Sequence, residues 1–391
     1  MSNSSSLSES RAQSFVYIAL FAGFIITGMA ATVLGPILPV FIARWNLSDS
    51  QAGLFFATQF GGSLLGVGLS SVLQSTRGYR EALVLGYLLT AAGIAGLTAG
   101  NHQAALFATA ACGCGFGVAI PATNLCVAEL SGPRRSTSLT LVNIAWGCGA
   151  ILCPVLVLTG LRAHRLSEVL FTVAACAFFL SVAFLAMRLD TPGTRSPEVE
   201  SPGKISHIHP VHVPVALGLL FFLYVGTENG ISGWAAEQAR RIGGGSSVTI
   251  VPTFFWAGLL SGRAISAVLL LRINENLLVT SGLLLSAIGT AVLLSATSRP
   301  QIILGVILAG FGLAAIYPVF IAWLSKWFGT RARRLGGFMF ALASLGGATV
   351  PYVVGFVSQQ TQSLRTGLLV PLAGCLAMIA IVITLRRHIA R

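Results

Sequence analysis

Glu228 is a single carboxylate in the middle of an apolar stretch that runs from Val211 to Trp234. A charged side chain near the centre of a bilayer is costly, so an ionisable residue at such a position predicts a functional site. None of the other Asp and Glu residues, 11 in all with Glu228, lies as deep in an apolar run. A carboxyl held out of water can take up and release a proton, so we predict that Glu228 couples an ion to the function of the chain. The alternatives are a structural ion pair and a cap at a helix break.

Arg263 is the one basic residue placed well inside an apolar segment. If the segment of Glu228 runs outward and the next one runs back, a rise of ~1.5 Å per residue places the two side chains within ~6 Å in depth. We therefore predict that Arg263 takes part in ion coupling, and pairing with Glu228 is one way in which it could do so. The alternative is that its long side chain reaches the cytoplasmic surface.

Polar and aromatic side chains inside the apolar segments form the predicted substrate-binding set. Amides supply both donors and acceptors, which suits sugar hydroxyls, and aromatic faces suit the apolar C–H face of a sugar ring. The predicted substrate-binding residues are Gln59, Asn124, Asn143, Trp146, Tyr224, Glu228, Asn229, Trp256 and Tyr317. The alternatives are hydrogen bonds between helices for the amides, and interface or packing roles for the aromatic residues. Gly226, Gly230 and Gly233 beside Glu228 predict either a weakened helix or close packing.

The composition places these residues in a membrane. Of the 391 residues, 55% are hydrophobic and 9% are charged, whereas a soluble domain has about 25% charged residues. Too little charge remains to cover a water-facing surface, so the solvent must be lipid. The net charge of +13 comes from arginines at the ends of apolar runs rather than on one face, so no nucleic-acid partner is predicted. The cysteines lack zinc-ligand spacing, and neither a metal nor a cofactor is predicted.

Apolar runs of about 20 residues or more predict an all-α integral membrane fold with 12 transmembrane helices. Their predicted bounds are 14–43, 48–75, 80–99, 103–130, 137–161, 166–187, 211–239, 247–271, 275–297, 300–326, 335–358 and 364–385. A polar, Pro-containing segment divides them into six and six. The predicted organisation is a cytoplasmic tail (1–13), an N-terminal six-helix half (14–187), a cytoplasmic linker (188–210) and a C-terminal six-helix half with a short tail (211–391). Ser48 and Gln51 predict a capping box at the start of the second span.

The distribution of Lys and Arg predicts the orientation of the chain. Sixteen of the 24 basic residues lie in loops and tails that are cytoplasmic if the N-terminus is inside, and seven lie in the opposite loops. The positive-inside rule therefore predicts that both termini are cytoplasmic. The first apolar run is too long for a signal-peptide core, so it predicts a retained span. We predict a multi-pass protein of the bacterial inner membrane.

The two halves repeat weakly in sequence. The segment Gly149–Pro154 resembles Gly346–Pro351, and a pair of arginines precedes each segment. Pseudo-symmetric six-helix halves are typical of secondary transporters, which build a site at the repeat interface near the midplane and alternate access by rocking. The same organisation is expected here.

The chain is similar over essentially its whole length to the major facilitator superfamily, through the motif Gly35–Phe41 and the arrangement of six plus six spans. Within that superfamily it most resembles the fucose permease-like sugar:proton symporters, through Tyr224–Trp234 and Phe255–Gly258. The resemblance implies a twelve-helix carrier with a sugar as substrate. Fucose permease has acids in helices 1 and 4, where this chain has Gly35 and Ile120. Fucose specificity therefore does not carry over, and the acid of the seventh span would have to replace them.

These observations predict a monomeric secondary active transporter for a monosaccharide or a related small polar solute, coupled through Glu228 to protons or to sodium. A proton-driven efflux antiporter for drugs or metabolites is the alternative within the same class. It is less favoured because Cys153 precedes Pro154 where drug antiporters have a Gly-Pro signature. A non-transporting membrane sensor is disfavoured because no soluble signalling domain is attached. An enzyme is not predicted, because the chain has no phosphate-binding loop, zinc-protease motif or hydrolase elbow.

Overall fold

A computed structural model describes residues 2–187, 189, 211–243 and 245–389 of the chain. Within these residues the ordered structure is entirely helical, and α-helices follow one another through short turns. The helices are α1 (Ser2–Thr32), α2 (Leu34–Trp45), α3 (Asp49–Thr76), α4 (Tyr79–Gly96), α5 (His102–Leu130), α6 (Arg135–Arg162), α7 (Leu166–Ala186), α8 (His212–Arg241), α9 (Val251–Leu269), α10 (Glu275–Ser295), α11 (Arg299–Leu313), α12 (Ile316–Phe328), α13 (Ala332–Thr361), α14 (Leu364–Gly367) and α15 (Leu369–Ile389).

The predicted all-α membrane fold is confirmed. Eleven segments of the described chain are long and apolar enough to cross a membrane, and α4, with 18 residues, corresponds to the predicted third span. The helices fall into six spans before the polar segment and six after it. The division into a tail (1–13), two halves and a linker (188–210) stays a prediction, because residues 190–210 and the side chains of 1–13 lie outside what the structure describes.

Three predicted spans, 14–43, 300–326 and 364–385, are each built from two helices rather than one. The first divides at Val33 between α1 and α2, the second between α11 and α12, and the third at Leu368 between α14 and α15. Pro36, Pro318 and Pro371 are each the third residue of the helix that follows the break. Proline lacks an N–H and its ring clashes with the carbonyl four residues earlier, so the first turn is the position in a helix that tolerates it best. The proline therefore suits the start of the second helix at each break. It does not set the break alone, because Pro39, Pro121, Pro154 and Pro351 lie inside helices that continue.

The predicted capping box opens α3. The backbone N–H of Gln51 donates to the Ser48 hydroxyl at 3.3 Å, and the backbone N–H of Ser48 donates to the Gln51 side-chain oxygen at 2.9 Å. This reciprocal pair satisfies N–H groups that a helix N-terminus otherwise leaves without partners. The prediction from the sequence is confirmed.

Contacts divide the chain into two compact units. The first unit contains Met1–Val33 and Gly61–Gly193. In this unit α6 packs closely on α1. The two backbones are so close that a Cβ at Gly149 would overlap the carbonyl oxygen of Ile25. Glycine lets two helix backbones approach this closely, which is how membrane helices commonly associate. The fourth span of the chain, α5, approaches α3 and α4 through its own glycines in the same way.

The second unit contains Leu34–Phe60 and Thr194–Arg391. Here α13 packs closely on α8. The two backbones are so close that a Cβ at Gly346 would overlap the carbonyl oxygen of Phe222. Gly149 and Gly346 are the aligned first residues of the repeated segments, so the repeat has a structural counterpart in each unit. The helices α11, α9 and α10 pack together as α5, α3 and α4 do in the first unit.

Candidate substrate and coupling site

Glu228 lies in the middle of α8 with 7% of its surface exposed. The helix continues without a break from His212 to Arg241. The glycines around Glu228 serve close packing: a Cβ at Gly226 would collide with Val350 of α13, and a Cβ at Gly233 would collide with the Phe56 ring. Of the two explanations that the sequence left open for these glycines, the structure favours close packing. Glu228 is therefore held by a rigid, tightly packed helix.

Three side chains from three helices interact electrostatically with Glu228. Tyr224 lies one turn earlier on the same face of α8, and its hydroxyl interacts with the carboxyl. Arg263 of α9 exerts a Coulombic attraction on the same carboxyl. Tyr317, in the first turn of α12, lies in the field of both Glu228 and Arg263. We call Tyr224, Glu228, Arg263 and Tyr317 the Glu228 cluster.

The Glu228 cluster does not contain a closed ion pair. Among the described residues no carboxylate oxygen lies within the 4.0 Å ion-pair distance of the Arg263 guanidinium. The Arg263 Nε is buried without a hydrogen-bond acceptor in the described part of the chain. The Tyr224 hydroxyl interacts with both Glu228 and Arg263, but its position leaves it without a well-formed hydrogen bond. Buried donors of this kind are costly when they stay unpaired.

Aromatic rings line the same part of the second unit. The rings of Tyr224 and Tyr317 lie 5.5 Å apart, and Phe221 meets Tyr317 edge-on at 5.5 Å. Phe320 packs against Phe221 at 5.9 Å. Trp256 is buried on α9 two turns before Arg263, and seven residues place both on the same helix face. The predicted aromatic residues Tyr224 and Tyr317 are thus adjacent, and Tyr224 interacts with the buried Glu228 carboxyl.

The second unit contains two of the predicted amides. Asn229 is half-buried, and its Nδ2 donates to the carbonyl of Val225 in its own helix at 2.9 Å. Gln59 is buried on α3, with 1% of its surface exposed. Their predicted role in substrate binding stays a prediction.

Three predicted site residues, Asn124, Asn143 and Trp146, belong to the first unit. The Asn143 Nδ2 donates to the Asn124 Oδ1 at 3.3 Å, which joins α6 to α5. Each amide also donates to a carbonyl of its own helix, at 3.1 Å for Asn124 and 2.8 Å for Asn143. Trp146 is half-buried one turn after Asn143. The amide pair is compatible with both alternatives that the sequence left open, a link between helices and a polar surface for a substrate.

A second charged cluster, which the sequence analysis did not predict, lies at the C-terminal end of α8. Glu237 is fully buried and accepts hydrogen bonds from Arg240 at 2.7 Å and from Arg241 at 2.8 Å. Arg241 also pairs with Asp49 at the start of α3, and the Ser358 hydroxyl of α13 donates to the same Asp49 carboxylate. We call these five residues the Glu237 network. The spacing of Glu237 from Arg240 and Arg241, three and four residues, was the available signal.

Comparison with known proteins gives a family for this arrangement. The model of the Major Facilitator Superfamily matches residues 20–275. The sodium-dependent glucose transporter 1 of Rattus norvegicus is 31% identical over 144 residues, which cover 36% of this chain and 30% of that protein. An uncharacterized MFS-type transporter of Enterobacter sp. (strain 638) is 32% identical over 80 residues, which cover 20% of this chain and 21% of that protein. The chain therefore spans less than a third of the length of these curated relatives.

Solved structures share the fold over nearly the whole chain. A D-xylose-proton symporter superimposes with a TM-score of 0.75 at 18% identity, over 94% of this chain and 95% of that one. The E. coli fucose:proton symporter superimposes with a TM-score of 0.61 at 18% identity, over 95% of this chain and 98% of that one. At such identities the likeness establishes a common architecture and leaves the choice of substrate to the residues of the site.

Proposed function

This chain belongs to the major facilitator superfamily, and from this premise we propose that it moves a monosaccharide or a related small polar solute across the membrane by alternating access, coupled to protons through Glu228. Membership confirms the predicted superfamily and makes the chain a membrane transporter rather than an enzyme. The single observation that carries the coupling proposal is the burial of Glu228 in mid-helix beside Tyr224 and Arg263. A carboxyl in this setting changes the charge of its surroundings whenever it gains or loses a proton.

The coupling proposal follows from the charge of the Glu228 cluster. With the carboxyl ionised, the attraction of Arg263 offsets part of the cost of its burial. With the carboxyl protonated, that attraction is lost and Arg263 becomes available to another partner. Protonation and substrate binding at Arg263 would therefore be linked, and linkage of this kind is what a symporter requires. Sodium could replace the proton as the coupled ion. The rat relative is named a sodium-dependent glucose transporter, so the experiment below includes a sodium gradient.

The sugar proposal rests on the aromatic residues and amides of the chain. Tyr224 and Tyr317 offer ring faces and polar tips within the Glu228 cluster, and Trp256 is buried on the same helix as Arg263. Gln59, Asn124, Asn143, Trp146 and Asn229 are proposed as further substrate contacts. The names of the structural neighbours, a D-xylose-proton symporter and a fucose:proton symporter, support a sugar as the class of substrate.

We also propose the topology and the setting of the transporter. The excess of Lys and Arg on one side supports cytoplasmic termini, a cytoplasmic tail (1–13) and a cytoplasmic linker (188–210) between the halves 14–187 and 211–391. We propose that the chain works as a monomer in a bacterial inner membrane.

The decisive experiment is uptake of labelled hexoses into proteoliposomes under an imposed inward proton gradient, with wild type, Glu228→Gln and Glu168→Gln compared. Glu228→Gln imitates the protonated carboxyl, so we expect it to lose gradient-driven accumulation and to keep sugar exchange without a gradient. Glu168 is exposed at the start of α7, and its replacement should leave uptake unchanged. Uptake by Glu228→Gln that keeps its dependence on the proton gradient would remove Glu228 as the coupling residue.

The same proteoliposomes test the ion and the direction of transport. Replacing the proton gradient by a sodium gradient decides which ion is coupled. Expulsion of dyes without sugar movement would favour an efflux antiporter.

A further inference from the structure

The positive charge of Arg263 is incompletely compensated in the second unit. The guanidinium comes from α9, and no carboxylate of the described chain approaches it within the 4.0 Å ion-pair distance. Its Nε is buried without an acceptor among the described residues. By contrast, Arg240 and Arg241 at the end of α8 each bind carboxylate oxygens directly. Arg263 is therefore a cation of the Glu228 cluster that has no carboxylate at ion-pair distance among the described residues.

Arg263 and Tyr224 leave hydrogen-bond donors available beside Glu228. A guanidinium has five N–H donors and no acceptor, and a phenol offers one O–H donor besides its acceptor oxygen. Tyr224 is 1% exposed, and its hydroxyl interacts with both Glu228 and Arg263 without forming a complete hydrogen bond. The ionisable groups that act on Glu228 are Arg263 of α9 and Tyr224 of α8, and Tyr317 of α12 lies in the field of Glu228. The other helices that pack on α8, which are α2, α11, α13 and α15, add none within the described residues. Once Glu228 is protonated, the cluster consists of a cation and donors with no anionic acceptor.

We infer that the substrate carries a carboxylate, as a sugar acid does, and that Arg263 and Tyr224 bind this carboxylate when Glu228 is protonated. The inference rests on the proposed function, because it takes Glu228 as the coupling residue. A carboxylate accepts two parallel bonds from a guanidinium, and such charge-assisted pairs are stronger than bonds to neutral hydroxyls. The arriving anion restores the neutrality that the proton removed. Release of the proton to the other side restores the negative charge of Glu228 beside Arg263 and weakens the hold on the anion.

Electroneutrality gives the inference a signature that a neutral sugar lacks. One proton and one carboxylate carry no net charge together, so their joint movement does not respond to the membrane potential. One proton with a neutral hexose carries one positive charge, so its uptake is accelerated by a potential that is negative inside. The pH gradient drives both kinds of transport, whereas the membrane potential drives only the second.

The test compares D-glucuronate with D-glucose. The two compounds share the same ring, but glucuronate carries a carboxylate where glucose carries a hydroxymethyl group. Uptake of each labelled compound into proteoliposomes is measured with a pH gradient alone and with a valinomycin-imposed potassium potential alone. We expect glucuronate uptake under the pH gradient to exceed glucose uptake at least tenfold, and the potential to leave glucuronate uptake unchanged. We expect Arg263→Gln to lower glucuronate uptake roughly 100-fold, as loss of a charge-assisted bidentate pair implies, and Tyr224→Phe to lower it roughly tenfold.

Arg272→Gln is the matched control, because Arg272 is an exposed arginine in the turn that follows α9, and its removal should leave uptake unchanged. Wild-type transport that prefers glucose and responds to the potential would overturn the inference while the proposed function stands. Glucuronate uptake that Arg263→Gln leaves unchanged would overturn it as well. If wild type moves neither sugar, the inference and the proposed function both fail. The wild-type comparison needs no variant, so poor folding of Arg263→Gln cannot hide the answer.

Discussion

Replacing the buried Glu237 by Gln tests whether the Glu237 network stabilises the transporter. The carboxylate accepts three guanidinium bonds: Arg240 contributes a bidentate pair at 2.7 Å, and Arg241 contributes one at 2.8 Å. Gln has nearly the same shape, so packing is kept. Its NH₂ group, however, places a donor where the carboxylate presents an acceptor, and the negative charge is lost. The substitution therefore isolates the electrostatic contribution of one residue.

The expected loss in the free energy of unfolding follows from the burial of Glu237 and of its two arginine partners. Removing one partner of a buried ion pair costs about 3–5 kcal/mol. Glu237 itself is fully buried, but the side chains of Arg240 and Arg241 are 43% and 29% exposed, so water can take over part of their solvation. Arg241 also keeps Asp49 as a partner. We therefore expect the free energy of unfolding to fall by roughly 2–3 kcal/mol, a change of roughly 30- to 150-fold in the equilibrium constant.

Unfolding in mixed detergent and SDS micelles, followed by tryptophan fluorescence, measures this change. Glu168→Gln is the matched control, since Glu168 meets Arg165 at 3.8 Å and both side chains are 68% exposed. We expect that control to cost less than about 0.5 kcal/mol. Equal effects of the two substitutions would refute the reasoning, because burial would then have no influence. A loss below about 1 kcal/mol for Glu237→Gln would also refute it.

Three further predictions concern packing and helix ends, and the same unfolding measurement checks them. Gly149→Ala and Gly346→Ala should each destabilise the protein by about 1–3 kcal/mol, because the new methyl group overlaps a backbone carbonyl of the neighbouring helix. Gly61→Ala should be neutral or stabilising by about 0.5–1 kcal/mol, since a Cβ there meets nothing within 4 Å. A destabilised Gly61→Ala would contradict the packing argument. Ser48→Ala should cost about 1 kcal/mol through loss of the capping box, and an unchanged stability would show that the cap contributes nothing.

The sequence predicts the features of this fold that depend on local composition. Apolar runs delimit the spans, and Ser48 with Gln51 marks the start of α3, because both signals are carried by neighbouring residues. Pro36, Pro318 and Pro371 stand near the three helix breaks, but proline alone does not predict a break, because Pro39, Pro121, Pro154 and Pro351 lie inside helices that continue. The predicted bounds of spans 1, 10 and 12 missed these breaks because hydropathy continues unchanged through them.

The sequence does not predict features that depend on residues brought together by folding. Asp49 and Arg241 are 192 residues apart, and each alone resembles an ordinary charge at a membrane edge. The choice between flexibility and packing at Gly226 was undecidable for the same reason, because the answer is set by Val350 on another helix. A glycine shows only that a side chain is absent, and the neighbour that fills the space has to be seen.

The two buried carboxylates of α8 show how environment divides one residue type between two roles. Glu228 and Glu237 are nine residues apart, and at ~100° per residue they face opposite sides of the helix. Glu237 meets two arginines directly, so its charge is satisfied and protonation would cost the protein those bonds. Glu228 has a cation only beyond ion-pair distance and a tyrosine whose hydroxyl lacks a well-formed bond. Neither of its charge states is fully satisfied by the protein alone. These surroundings are the reason why we propose Glu228, and not Glu237, as the residue that exchanges a proton during transport.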